Sequence, residues 1–418
     1  MKSVNLKILF IIIMICLSAC RVTASEHVAT KEYLQWLEEL KQEMSDRGIS
    51  QQTLEKAFAK NYYHPRHKVV KQDRNQNEFV LTTSAYLKRA VSRQRIEKGR
   101  QFYKKLSKKY PDGIMNVPLH YLIAFWGVET NYGSYKGGYP AIEALTVLSY
   151  DARRPKFFRE ELYKALKILD ERHIEFEKME SSWAGAMGHF QFMPSTFLAY
   201  GKDADNDNKI NIWEDFDDAI LSAANYLSDM GWKKNEPWGM PVNLDINFDY
   251  TKTGRNKIKT VKKWKEIGVI GNEKMKDSWE GAIIVPEGYR GQTYLVLDNF
   301  HIIMKWNKSE NYALAIGLLA DEIKGIKRNI YTDKTERYPL TRNDIKKVQE
   351  FINKQKIAKI DIDGALGSKT RQAVQKVQKK FKLPADGYPD YRLLKNIANF
   401  PQNGYYPPVP ERKLHRGK

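Results

Sequence analysis

The stretch Ala124–Gly138, AFWGVETNYGSYKGG, joins an apolar run to a glycine-rich turn and carries a single carboxylate, Glu129. Pro118 is typical of the first turn of a helix, so we expect a helix from there to about Asn131. Glu129 then lies in its last turn. A carboxyl group in apolar surroundings resists ionisation and can hold the proton that a departing group needs. The stretch therefore predicts a general acid at the end of a buried helix.

The composition indicates a folded protein rather than a disordered one. The 418 residues are 42% hydrophobic and 12% aromatic, which is enough for two or three domains with a sizeable core. The formal net charge of +20 indicates attraction to an anionic partner. Nucleic acid, an anionic cell wall and a membrane surface all fit that charge, so the amino terminus has to distinguish them.

Residues 1–19 have the pattern of a lipoprotein signal peptide. A basic start precedes Ile8–Leu17, an apolar run too short for a bilayer, which takes about 20 residues. Residues 17–20, LSAC, resemble a bacterial lipobox, whose cleavage would leave a lipidated Cys20 as the first mature residue. Cleavage after residues 22–24, VTA, is the alternative and would leave a soluble periplasmic protein.

An exported chain argues against nucleic acid as the partner, so the charge favours a cell-wall polymer or a membrane. Arg21, rather than Asp, follows Cys20, and we therefore expect the periplasmic side of the outer membrane. Cys16 lies inside the signal, so neither a disulfide nor a thiolate metal site is expected in the mature chain. We expect a monomer.

The remaining chain divides into two folded units. Helical periodicity, for example over Ser84–Leu106, predicts a mainly α domain, and residues 242–300 are richer in β-branched residues and turns. The expected parts are a tether at 20–30, a main domain at 31–330, a linker at 331–339, a small domain at 340–400 and a basic, proline-rich tail at 401–418.

Two further segments carry recognisable patterns. Ser181–Pro194, SSWAGAMGHFQFMP, clusters glycines that let backbone approach a ligand closely, although a tight packing loop has the same composition. In the small domain, IDGALGSKT at 362–370 contains an Asp-Gly turn, and Ser368 or Thr370 can cap the helix that follows.

These patterns resemble a known family. GVETNYG around Glu129, together with Ser181–Pro194, is similar to the lytic murein transglycosylase B family (glycoside hydrolase family 103). Residues 340–400 resemble the type 1 peptidoglycan-binding domain, a compact three-helix module. The resemblance implies a mainly α, lysozyme-like catalytic domain at 31–330 with a small strand-bearing insert.

The same resemblance implies roles for individual residues. Glu129 stands where the family has its sole catalytic acid/base, and Trp306 stands where family members often have Tyr, which keeps a ring but removes a hydroxyl. The positions that match substrate-binding residues of the family are Tyr86, Ser182, Gln191, Tyr226, Trp306 and Asn307.

An acidic loop, DADNDNKINIW at 203–213, opens like an EF-hand calcium site. We predict a structural Ca²⁺ held by Asp203, Asp205, Asp207, the backbone carbonyl of Lys209, and Asp218. Glu214 occupies the standard twelfth position, but the family closes its loop later, at the place of Asp218. Asn208 replaces the usual glycine, which is compatible with Asn because it tolerates left-handed backbone angles. An acidic surface turn without metal is the alternative.

The family's reaction is non-hydrolytic cleavage of the β-1,4 bond between N-acetylmuramic acid and N-acetylglucosamine, giving 1,6-anhydromuramoyl ends and needing no cofactor. Glycan strands of peptidoglycan are then the partner. A muramidase that uses water is one alternative, with Glu143, Asp151 or Glu180 as a second acid. A non-enzymatic wall-binding lipoprotein is another. A calcium-sensing EF-hand protein would need a paired second loop, which the sequence lacks.

Overall fold

The computed structural model describes residues 31–59, 69, 82–150, 154–271, 275–328 and 340–400. The expected signal, the tether with Cys20, the linker and the basic tail lie outside the described residues, as does Asp151. Within the described part of the chain, no helix is both long and apolar enough to cross a membrane.

The main domain and the small domain are both built chiefly from helices. The helices are α1 (Lys31–Asp46), α2 (Gln51–Ala57), α3 (Thr83–Ala90), α4 (Arg93–Leu106), α5 (Leu119–Thr130), α6 (Ala141–Tyr150), α7 (Pro155–Asp170), α8 (Pro194–Tyr200), α9 (Phe216–Asp229), α10 (Val261–Glu266), α11 (Asp298–Trp306), α12 (Glu310–Lys324), α13 (Arg342–Lys354), α14 (Ser368–Lys380) and α15 (Tyr391–Ala398). The strands are β1 (Tyr139–Pro140), β2 (Glu180–Ser181), β3 (Gly239–Leu244), β4 (Lys259–Thr260), β5 (Val269–Ile270), β6 (Glu280–Ile284) and β7 (Thr293–Val296). The predicted mainly α fold with a small strand-bearing insert is confirmed.

Helix α5 forms the centre of the main domain. Its sequence, LHYLIAFWGVET, is apolar on nearly every side, so almost all of it is buried, and it packs against α4 and α12. It begins after Pro118 and is closed by Asn131, whose backbone is left-handed at φ 50° and ψ 49°. The predicted position of Glu129 in the last turn is confirmed.

The helical spacing over Ser84–Leu106 corresponds to two helices instead of one. Helix α3 ends at Ala90, and the hydroxyl of Ser92 then accepts a 3.3 Å hydrogen bond from the backbone N–H of Arg95. A serine that satisfies an otherwise unpaired N–H begins a new helix, and periodicity alone does not show this interruption.

Two small sheets complete the main domain. The antiparallel order β4-β6-β7-β3-β5 forms the predicted insert and encloses its own apolar core. The short pair β1–β2 joins Tyr139 to Ser181, which ties the turn after α5 to the glycine-rich segment. The sheet pairing therefore brings together the two motifs that the sequence separates by about forty residues.

The small domain contains three helices, α13 to α15, around one apolar core. Each of its two Asp-Gly turns is held by a buried glutamine. The side chain of Gln349 donates to Asp363 Oδ1 and accepts from the backbone N–H of Gly364, both at 2.8 Å. Gln378 donates to Asp386 Oδ1 at 2.7 Å and accepts from the backbone N–H of Gly387 at 2.8 Å.

The predicted cap of α14 by Ser368 or Thr370 is wrong. The residue before the helix is Gly367, which provides no side-chain cap, and Ser368 is already the first helical residue. The hydroxyl of Thr370 instead accepts a 3.3 Å hydrogen bond from Gln349. The tertiary contact to α13 therefore replaces the local cap.

Candidate active site

One oxygen of Glu129 accepts two hydrogen bonds from distant parts of the chain. The indole N–H of Trp306 donates to Oε1 at 3.0 Å, and the phenolic O–H of Tyr312 donates to the same oxygen at 2.5 Å. The side chain is partly buried at the end of α5. Two donors from two helices fix the orientation of the carboxyl group, which a general acid needs before substrate arrives.

Aromatic rings surround this carboxyl group. The ring of Trp306 lies 4.7 Å from that of Phe125 and 5.3 Å from that of Phe192, centroid to centroid. Tyr226 meets Trp306 edge to face at 5.0 Å. The structure thus places Trp306 against Glu129 and Tyr226 against Trp306, so that aromatic rings lie on one side of the carboxyl group.

The glycine-rich segment is fastened to the end of α5 through His189. The indole N–H of Trp126 donates to Nδ1 of His189 at 3.0 Å, and the hydroxyl of Thr130 donates to the His189 carbonyl at 2.9 Å. Burial, together with the smaller effect of the positive charge of Lys136, lowers the pKa of His189 to about 4. A neutral imidazole is required here because only that form can accept from Trp126.

Ser182 and Gln191 make contacts inside the loop region. The hydroxyl of Ser182 accepts from the backbone N–H groups of Ala184 and Ala186 at 3.3 and 3.2 Å. The amide of Gln191 donates to the carbonyl of Lys136 at 2.8 Å. Both side chains shape the glycine-rich segment, and their substrate contacts stay a prediction.

Gly188 shows why this segment needs glycine. Its φ is +68°, and a Cβ atom there would lie 2.4 Å from the carbonyl oxygen of Ile212. Any larger residue would push the segment away from the chain that follows the acidic loop. At Gly188, therefore, glycine is needed for packing. This agrees with the alternative interpretation of the glycine-rich segment as a tight packing loop.

Tyr86 and Asn307 belong to elements that flank the loop between α11 and α12. Tyr86 lies on α3, where the hydroxyl of Thr83 donates to Oδ1 of Asn311 at 2.7 Å. Asn307 follows α11, and its carbonyl accepts from the backbone N–H of Ser309 at 2.8 Å. The structure places both elements next to the segment that carries Trp306 and Tyr312.

The role of Tyr312 was not predicted from the sequence. The available signal was a phenol in the first turn of an amphipathic helix, only six positions after Trp306. A buried phenol needs a hydrogen-bond partner, so its position in α12 favours a polar target inside the domain. Nothing in the sequence identifies that target as Glu129.

Comparison with known proteins assigns the family. A family model of the transglycosylase SLT domain matches residues 32–321, and one of a putative peptidoglycan binding domain matches residues 341–397. The chain belongs to the transglycosylase SLT family. Its enzymes are lytic transglycosylases, which cleave peptidoglycan in a non-hydrolytic lyase reaction.

Individual relatives agree with this assignment. A crystal structure of SltB3 from Pseudomonas aeruginosa in complex with NAG-anhNAM-pentapeptide is 36% identical, with a TM-score of 0.83 over 88% of this chain and 99% of that chain. Membrane-bound lytic murein transglycosylase B of Escherichia coli (strain K12) is 28% identical over 252 residues, which are 57% of this chain and 66% of the relative. Slt35 of Escherichia coli, solved in complex with calcium, shares the fold at 24% identity, with a TM-score of 0.58 over 69% of this chain and 92% of that chain.

The acidic loop of this transglycosylase gathers three carboxylates. Ligand oxygens of Asp203, Asp205 and Asp218 lie within 4.8 Å of one another, whereas the side chain of Asp207 is not part of that group. Burial raises the pKa of Asp218, and the nearby charges of Asp215 and Asp203 raise it further. A cation would relieve this repulsion, and clustered carboxylates are the hard oxygen ligands that Ca²⁺ prefers. The donor set therefore fits calcium.

Two contacts show whether Glu214 or Asp218 lies with the clustered carboxylates. Glu214 pairs with Lys178, with Nζ and Oε2 3.3 Å apart, and it is not one of the three clustered carboxylates. Asp218 joins the cluster through the start of α9, where its two oxygens accept from the N–H groups of Ala204 and Asn211 at 2.7 Å. Asn208 has φ 67°, as its replacement of glycine predicts.

Proposed function

We propose that this transglycosylase cleaves the β-1,4 bond between N-acetylmuramic acid and N-acetylglucosamine, with Glu129 as its sole acid/base. The observation that carries the proposal is the single Oε1 oxygen held by both Trp306 and Tyr312. The family supports the reaction class, and the peptidoglycan fragment bound to SltB3 supports the substrate.

The reaction needs one proton to move twice. Protonated Glu129 gives its proton to the glycosidic oxygen while the N-acetyl group of the substrate stabilises the electron-poor C1. The carboxylate then takes the proton of the muramic C6 hydroxyl, whose oxygen attacks C1 and closes the 1,6-anhydro ring. Trp306 and Tyr312 stabilise the charge on Glu129 between the two transfers, because both donate to it.

The aromatic rings beside Glu129 have a chemical purpose in this reaction. Water would compete with the C6 hydroxyl for C1, so the rings of Trp306 and Tyr226 on one side of Glu129 favour the anhydro product. One carboxylate suffices because the substrate supplies both the stabilising group and the nucleophile, whereas most glycosidases use two carboxylates about 5 to 9.5 Å apart.

Product analysis on purified sacculi tests the proposal. Mass spectrometry of the wild-type digest should show 1,6-anhydromuramoyl ends, and Glu129→Gln should release none. Reducing ends would identify the hydrolytic alternative, a muramidase with a second acid. Equal, product-free binding by both proteins would identify the non-enzymatic wall-binding alternative.

We also propose a structural Ca²⁺ at 203–218. The three clustered carboxylates, with Asp207 and the Lys209 carbonyl as further oxygen donors in the same loop, support it. The calcium complex of Slt35 adds support from a protein of the same fold. Such an ion would hold the loop to α9 and take no part in proton transfer.

The remaining roles are proposals of the same kind. We infer that Tyr86, Ser182, Gln191, Tyr226, Trp306 and Asn307 line the substrate cleft of a catalytic domain at 31–330, followed by a peptidoglycan-binding domain at 340–400. We further infer a monomeric lipoprotein held at the outer membrane by Cys20, which the membrane-bound relative supports. Mass spectrometry of the mature protein and of Cys20→Ala tests the anchor.

A further inference from the structure

The peptidoglycan-binding domain is seated on the strand-bearing insert of the main domain. The guanidinium of Arg371 donates to the carbonyl of Pro286, and the backbone N–H of Tyr289 donates to Oδ2 of Asp386, both at 2.8 Å. Beside these contacts, residues of both domains line a cavity of about 180 Å³ that opens to solvent. The cavity therefore has one wall from each domain.

The cavity is positively charged. Arg255, Lys308 and Arg371 line it, and Glu310 is the one carboxylate among its lining residues. Glu310 is already paired with Arg255 at 2.6 Å, so two positive charges remain. An anionic group is the complement of such a surface.

Lys308 has hydrogen-bonding capacity left, whereas Arg371 contributes chiefly its positive charge. One terminal N–H group of Arg371 donates to the Pro286 carbonyl, and its Nε–H is shielded from solvent, so a ligand in the cavity does not reach that atom. Lys308 is exposed, and the described chain shows no hydrogen bond or ion pair for its ammonium group.

The other side of the cavity is apolar. Ile345, Leu366 and Tyr388 of the small domain supply it. A ligand that fits both sides has a carboxylate and small apolar substituents, as a short peptide of alanine and acidic residues does. We propose that this cavity is a subsite for the peptide stem of peptidoglycan, with a stem carboxylate bound by Arg371 and Lys308. The proposal rests on the proposed function for its substrate.

The cavity adjoins the elements that hold the catalytic acid. Its wall includes Lys308, in the short loop between Trp306 and Tyr312, the two donors to Glu129. Its wall also includes Thr83, at the start of the helix that carries Tyr86. A stem bound here contacts the same loop that orients the acid, so the subsite continues the cleft towards the small domain.

Calorimetry on the full chain tests the subsite, with Glu129→Gln as the parent so that no ligand is cleaved. The ligands are a muramyl disaccharide carrying its peptide, the same disaccharide without peptide, and the free peptide. Lys308→Glu and Arg371→Gln should each weaken binding of the peptide-bearing disaccharide and of the peptide at least tenfold. Binding of the peptide-free disaccharide should stay within twofold.

The controls separate this inference from the proposed function. Lys234→Glu makes the same charge change on an exposed lysine outside the cavity and should bind all three ligands like the parent. Lys308 takes part in neither of the two domain contacts described above, so loss of those contacts does not explain the effect of Lys308→Glu. Unchanged peptide binding in both cavity variants, or an equal loss for the peptide-free disaccharide, overturns the subsite. Absence of anhydro products from the active wild type would overturn the proposed reaction and leave the peptide result intact.

Discussion

The phenolic oxygen of Tyr312 lies 2.5 Å from Oε1 of Glu129, although 183 positions of the chain separate the two residues. The same oxygen accepts from Trp306, and residues 307–309 are the whole connection between the helices that carry the two donors. One short loop thus sets both hydrogen bonds to the acid.

Removing the hydroxyl of Tyr312 should slow the reaction without weakening substrate binding. In Tyr312→Phe, Oε1 of Glu129 keeps the hydrogen bond from Trp306 and loses the one from Tyr312. A hydrogen bond to a charged group contributes about 1.5–3 kcal/mol, so we expect kcat on solubilised glycan to fall roughly 10- to 100-fold at nearly constant KM. Tyr163→Phe removes a hydroxyl bonded to the Arg47 carbonyl and should keep full activity. An unchanged kcat in Tyr312→Phe would contradict the assigned contact.

The stability of the protein should fall in mild acid because of His189. Its pKa is about 4 in the folded state and 6.5 for the ordinary side chain, so between these values the unfolded chain binds more protons. Stability therefore decreases as pH falls from about 6.5 towards 4, by about 2 kcal/mol at pH 5. Urea unfolding at pH 7.5 and pH 5 measures this loss.

A variant that cannot titrate isolates this contribution. Asn can accept from Trp126 as the imidazole does, so His189→Asn should lose less stability than the wild type between pH 7.5 and pH 5. His120, with a pKa lowered to about 3 by burial, adds a loss of the same sign to both proteins, so the comparison cancels it. Equal losses in the two proteins would refute the role of His189.

Calcium should raise the melting temperature, and the effect should depend on Asp218. An ion at 100 times its dissociation constant stabilises the folded state by about 2.7 kcal/mol, which corresponds to several degrees. Chelator should reverse the shift, and Asp218→Asn should abolish it. Glu214→Gln should keep it, because Glu214 points to Lys178. If the calcium-dependent rise in melting temperature is lost in Glu214→Gln and kept in Asp218→Asn, then Glu214, at the standard twelfth EF-hand position, is the ligand instead.

Adding one methyl group at Gly127 should destabilise the catalytic domain. Its Cβ would lie 2.7 Å from the ring of Tyr132, which is buried and anchored by a 2.6 Å hydrogen bond to the Arg95 carbonyl. We expect Gly127→Ala to cost about 1–3 kcal/mol in chemical unfolding despite the better helix propensity of Ala. Gly138→Ala, whose methyl meets nothing closer than 3.5 Å, should be close to wild type.

Much of the local architecture could be predicted because the signals are local. Pro118 and Asn131 bracket α5, and the apolar run between them predicts a buried helix with Glu129 in its last turn. The choice of Asp218 over Glu214 followed from the resemblance, and the cluster agrees with it. Ser92, by contrast, interrupts a continuous helical pattern that periodicity could not resolve.

The sequence by itself determined the family and the helical class, and it singled out Glu129 as the candidate acid, because these depend on residue types at short, regular spacing. Only the tertiary structure decided what surrounds Glu129. Tyr312 and Trp306 reach it through the packing of α12 and α11 around α5, and Arg371 reaches the cavity through the docking of the small domain. Contacts between residues far apart in the chain arise from the packing of whole helices and sheets, so spacing along the sequence does not specify them.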